Sequence, residues 1–137
     1  MGLEIAKLLA TLVGAVLVVW YWNEKKHKLE QYRLVDEGYH DLLEAYFAHP
    51  AYGDEPKTAE YAQAFQGDEA LRYHFFAMRV HTTMESLFDL SGGKIPDEWL
   101  PIFKYHTRLH GAWLQDHQQL HEPSYVARVF ASAPQPA

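Results

Sequence analysis

The chain has 137 residues, 12 Lys and Arg against 18 Asp and Glu, nine His, no Cys and a formal net charge of −6. Without cysteine there is no disulfide scaffold and no thiol nucleophile, although a reducing compartment and a disulfide-free periplasmic setting suit this equally. From Leu34 onward seven Lys and Arg face fifteen Asp and Glu, a surface that repels phosphate backbones, so no nucleic-acid partner is expected.

The amino terminus supplies the strongest pattern. Leu8 to Trp22 is a run of fifteen uncharged, almost wholly apolar residues, followed by Asn23-Glu24-Lys25-Lys26-His27-Lys28. At roughly 1.5 Å per residue the run covers about 22 Å, so crossing a core of about 30 Å recruits Ile5, Ala6 and a snorkelling Lys7. Residues 1–23 are therefore expected to form a transmembrane anchor, with membrane lipid as a partner. Trp20 and Trp22 have the indole chemistry that favours the headgroup boundary, and Lys25, Lys26 and Lys28 mark the interface beyond it. A cleaved secretory signal is the competing reading, but bulky Val18 to Trp22 and then charge occupy the place where a peptidase needs small side chains. Myristoylation does not fit, because position 6 is Ala6. Lys25, Lys26, Lys28 and Arg33 outnumber Lys7, which orients the amino terminus outward and the body into the cytoplasm, at the inner (plasma) membrane.

Inside the anchor Gly2, Ala6, Ala10 and Gly14 recur every four residues. Small side chains in that register let membrane helices approach closely, so Ala6, Ala10 and Gly14 are the candidate packing face for a homo-oligomer or another span. Replacing Ala10 and Gly14 by Leu tests it through self-association.

Residues 24–131 are expected to form one all-α soluble domain, with 132–137 a disordered tail. Tyr32, Val35, Tyr39, Leu42 and Tyr46 recur at three- and four-residue steps, which predicts an amphipathic helix continuous with the span and ending near His49-Pro50. Ala51 to Pro56 reads as a loop and Thr58 to Phe65 as a short helix stopped at Gly67. Asp68 to Leu90 carries a wide apolar arc and is the expected central helix, stopped by Ser91-Gly92-Gly93. Pro96-Asp97-Glu98 and Glu122-Pro123-Ser124 open the later helices. The whole predicts a small antiparallel helical bundle following a single transmembrane helix.

Met84-Glu85-Ser86-Leu87-Phe88-Asp89-Leu90, Ser91 to Trp99, Trp113 and Glu122-Pro123-Ser124-Tyr125-Val126 resemble a family of small bacterial proteins of unknown function with one amino-terminal span and a compact cytoplasmic helical domain. The resemblance covers about the last seventy residues and implies no catalytic residues. This chain departs from the family pattern in being richer in His.

Histidine carries whatever chemistry exists. Were Asp97 to His121 one helix, His106, His110, His117 and His121 would fall within an arc of about 60°. Such a line offers two i, i+4 pairs suited to a shared metal, a pH-responsive cluster, or simply hydrogen-bonded imidazoles at a helix margin. Gly111 is the residue that would break it. Glu37-Gly38-Tyr39-His40 matches one half of a di-iron Glu-x-x-His pair but has no second half. His81 and Glu85 share a face at i and i+4, and Glu85 is expected to pair with Arg79 or Arg108. No phosphate loop or nucleophile elbow is present, and no cofactor is expected. The function these features predict is that of a membrane-anchored accessory protein acting through protein contacts. The alternatives are a His-dependent metal enzyme and a regulator whose association changes between about pH 7.5 and 5.5 through His106 and His110.

Overall fold

A computed structural model describes residues 2–131 and is helical, with no strand among those residues. The expected tail at 132–137 lies outside them. The chain divides into two units, Met1–Leu34 and Val35–Ala137, and the first helix, α1 (Gly2–Ala48), contributes to both.

In the first unit every residue from Gly2 through Glu30 is exposed. Its apolar run is helical because nothing in it breaks a helix, and α1 is long and apolar enough to cross a membrane. Ala6, Ala10 and Gly14 are all exposed, and a Cβ added at Gly14 would meet nothing within 4 Å. Lys25 Nζ lies 5.7 Å from the centre of the Trp22 ring, a cation held against an aromatic face.

The second unit begins with residues 35–48 of α1. Val35 and Leu42 are buried there, and a Cβ at Gly38 would lie 3.7 Å from Thr83 Oγ1. The helix ends at Ala48, as the sequence predicts, because Pro50 forces His49 out of helical geometry to φ −133°, ψ 77°. The segment read as a loop is more ordered than expected: Pro50–Gly53 forms a 3-10 turn and α2 (Glu55–Ala59) starts at once, with Pro56 in its first turn. The single helix expected over Thr58 to Phe65 is likewise two, α2 and α3 (Tyr61–Ala64), divided at Glu60 with φ −118°, ψ 43°.

Helix α4 (Asp68–Leu90) is the buried centre, as its apolar arc predicts. Ala77, Val80, Met84 and Leu87 are fully buried together with Phe103, Trp113, Leu114 and Tyr125 from later elements. Its entry is set by Gly67 at φ +60° and its exit by Gly92 and Gly93 at φ +66° and +86°, backbone that side chains with a Cβ resist. Gly93 N–H donates to the Phe88 carbonyl at 2.9 Å, closing the last turn.

The stretch from Asp97 to His121 is not one helix. Residues 97–99 form a turn and α5 (Leu100–Leu109) begins only then, with Pro101 in its first turn. His110 adopts φ −107°, ψ 24°, and α6 (Gly111–Asp116) sets off afresh. A 3-10 turn at Gln118–Leu120 precedes α7 (Pro123–Ala131), whose Tyr125, Val126 and Val129 face the interior. Helix α4 contacts α5 and α6, α5 contacts α7, and α2 contacts both α5 and α6. Two polar ties also join elements: Tyr61 of α3 donates to Asp116 of α6 at 2.5 Å, and Arg108 of α5 to Glu55 of α2 at 3.1 Å.

Candidate functional site

The break at His110 redistributes the four histidines. His106 and His110 stay together, four residues apart on α5 and its end, and point into the core. Opposite them, Tyr39 and Tyr46 stand seven residues apart, hence on one face of α1. Tyr46 reaches both imidazoles, with its hydroxyl 2.9 Å from His106 Nδ1 and 2.8 Å from His110 Nε2. Tyr39 meets the other nitrogen of His106 at 3.2 Å, and Tyr73 from α4 meets His110 Nδ1 at 2.8 Å. The result is one hydrogen-bonded chain, Tyr39, His106, Tyr46, His110, Tyr73, that joins three helices.

A second branch starts at the His110 backbone. His81 Nε2–H donates to the His110 carbonyl at 2.9 Å. Because a carbonyl only accepts, the proton must sit on Nε2, which leaves Nδ1 to accept from the Tyr125 hydroxyl at 2.8 Å. The carbonyl thus fixes which tautomer the neutral His81 ring adopts. Its ring lies 5.7 Å from Trp113 at an interplanar angle of 11°.

Burial sets the electrostatics. It lowers His106 to about 4. His81 is also lowered to about 4, by burial and more weakly by His121, against the opposing hydrogen bond to His110. His110 is pushed well down by burial and then by His81 and His106. The phenols move the other way: burial raises Tyr46, Tyr73 and Tyr125. Taking charge out of water is costly, so each group keeps its uncharged form. Burial therefore favours the neutral imidazole at both His106 and His110.

His117 and His121 belong elsewhere. The His117 ring stacks on Trp113 at 4.3 Å and its Nδ1–H donates to the Trp113 carbonyl at 2.7 Å. Trp113 Nε1–H in turn donates to His74 Nδ1 at 3.2 Å. His121 donates to Glu85 at 2.8 Å, and the same carboxylate accepts the Glu122 N–H at 3.3 Å. Glu85 thus pairs with His121 and not with either arginine expected for it; Arg79 sits by Asp41 at 4.0 Å and Arg108 by Glu55. His40 of the Glu-x-x-His match lies 3.5 Å from Asp36 on its own helix. Among the described residues no group of three or more His, Asp or Glu is placed to hold a metal ion.

The tyrosines are what reading the sequence missed. Tyr39 and Tyr46 were legible as a helix face and His106 and His110 as an i, i+4 pair, but only the packing of α1 on α5 shows that the two faces meet. Tyr39, Tyr46 and His106 also line an open cleft of about 580 Å³ between residues 39–53 and the start of α5. Trp20, Trp22, Lys25, Lys26 and Lys28, expected at a membrane interface, and Ala6, Ala10 and Gly14, the candidate packing residues, lie in the first unit and are all exposed. Comparison with family models, with curated proteins and with solved structures finds no match for this chain.

Proposed function

We propose that this protein is a membrane-anchored accessory protein that acts through protein contacts at the inner (plasma) membrane, its amino terminus outside and its helical domain, a small antiparallel bundle, in the cytoplasm. One observation carries the reading: the apolar run Leu8 to Trp22 is exposed along its whole length. A helix apolar on all sides needs an apolar surrounding, since each Å² left in water costs about 25 cal/mol. Lipid supplies it, and the Trp20, Trp22 and Lys25 to Lys28 boundary matches the chemistry of an interface. The buried tyrosines and histidines serve as polar pegs that fix how the helices pack, a role that needs no reaction.

The absence of cysteine makes the test clean. Gly2→Cys and Glu98→Cys, each the sole thiol, are exposed to a membrane-impermeant maleimide in whole cells and after lysis. Labelling of Gly2→Cys in whole cells and of Glu98→Cys only after lysis, with the full mass retained in alkali-washed membranes, is the expected result. Recovery of a shortened chain in the aqueous fraction overturns the anchor, and the reverse labelling pattern overturns the orientation. Recovery of the same stoichiometric protein from mild detergent would identify the contact; isolation of the chain alone argues against the accessory role.

A further inference from the structure

The tyrosine and histidine chain holds one hydrogen more than it can use. With both imidazoles neutral, Tyr39, His106, Tyr46, His110 and Tyr73 carry five N–H or O–H hydrogens, and the four hydrogen bonds that join them consume four. Both nitrogens of each imidazole are engaged within the chain, so the surplus hydrogen must sit on a hydroxyl. Tyr73 is 1% exposed and its hydroxyl meets no second partner among the described residues, so its O–H is committed to His110 Nδ1; a buried donor turned elsewhere would go unpaired. His110 Nε2–H then donates to Tyr46. The spare O–H falls on Tyr39 or on Tyr46, and both of these rings line the 580 Å³ cleft.

Apart from the hydroxyl of Tyr105, the rest of that cleft is apolar. Leu43, Phe47, Pro101, Ile102 and Tyr105 form its walls, and no residue lining it carries a charge while His106 is neutral. Phe47, at 86% exposed, is the most exposed large apolar side chain among the described residues. We infer that this cleft binds a small uncharged molecule whose apolar body lies against these walls and whose carbonyl-type oxygen accepts the spare tyrosine hydrogen. The volume lies within the range of small-molecule sites, roughly 300–1,000 Å³. An ionic ligand would lose its hydration with no countercharge in return, and a pure hydrocarbon would cover the hydroxyl without pairing it. A carbonyl compound meets both requirements. The inference is independent of where the amino-terminal helix resides.

Benzophenone is the probe, because it is an uncharged diaryl ketone that also crosslinks on irradiation. Full-length protein in detergent micelles is irradiated with it and the adducts are mapped by mass spectrometry. Adducts on Leu43, Phe47 or Ile102 are expected, and most of them should disappear in Ile102→Trp, which fills the cleft. Competition then separates recognition of the oxygen from simple greasiness: 9-fluorenone should displace the probe at a concentration about fivefold lower than fluorene, which has nearly the same shape without the oxygen. That preference should vanish in the Tyr39→Phe, Tyr46→Phe double variant. Adducts confined to residues 8–22, or equal competition by fluorene and fluorenone in the wild-type protein, overturn the proposal. Cleft adducts that arise only after dilution to monomer overturn it too, since a second copy is then the occupant.

Discussion

Acid should destabilise the helical domain through His81 and His106. Both are buried, and burial lowers both from an ordinary 6.5 to about 4. For a base whose folded value is depressed, the fold favours the neutral form. Its stabilisation is complete above 6.5 and is lost as pH falls from there toward 4. At pH 5 an unfolded-state imidazole is protonated in nearly every molecule, whereas the folded one is protonated in roughly a tenth, a difference worth about 2 kcal/mol per residue. The two together remove about 4 kcal/mol between pH 7.5 and 5, a large part of the 5–15 kcal/mol typical of a domain. His110, depressed in the same direction, adds to the loss. Urea unfolding of the full chain in micelles, followed by tryptophan fluorescence at several pH values, measures this directly. His106→Gln, which cannot titrate, should cut the loss by about 2 kcal/mol. An unfolding free energy that stays level from pH 7.5 to 5, or imidazole resonances of His81 and His106 that titrate near 6.5, would refute the reasoning.

Three further outcomes follow from named contacts. Tyr125→Phe deprives the buried Nδ1 of His81 of its donor and should cost about 1–3 kcal/mol in the same unfolding assay. Trp113→Ala empties the site of a fully buried indole and should cost about 3–5 kcal/mol, with loss of near-ultraviolet circular dichroism at pH 7.5. Val13→Arg puts a charge at the centre of the apolar run and should reduce membrane recovery, since its insertion costs about 2.5–3.5 kcal/mol; unchanged retention in alkali-washed membranes would count against the anchor.

The helical class, the long apolar first helix and the ends of α1 and α4 can all be read from local sequence. Each of these depends on neighbours in the chain: Pro50 blocks the helix before it, and Gly67, Gly92 and Gly93 supply backbone at positive φ. The sequence also marks α4 as central, because an apolar arc that wide has to be covered. Local signals misjudged the stretches where short elements compete. A helix through Thr58 to Phe65 divides at Glu60, and the line from Asp97 to His121 breaks at His110. Short helices have little cooperativity of their own, so the packing of their apolar residues decides where they start and stop. Which polar groups meet follows from long-range packing. Tyr39 and Tyr46 lie some sixty residues from His106 and His110, and Glu85 lies 36 from His121. A spacing along one helix records which side chains share its face; which face lies opposite is set by burial of the core between them.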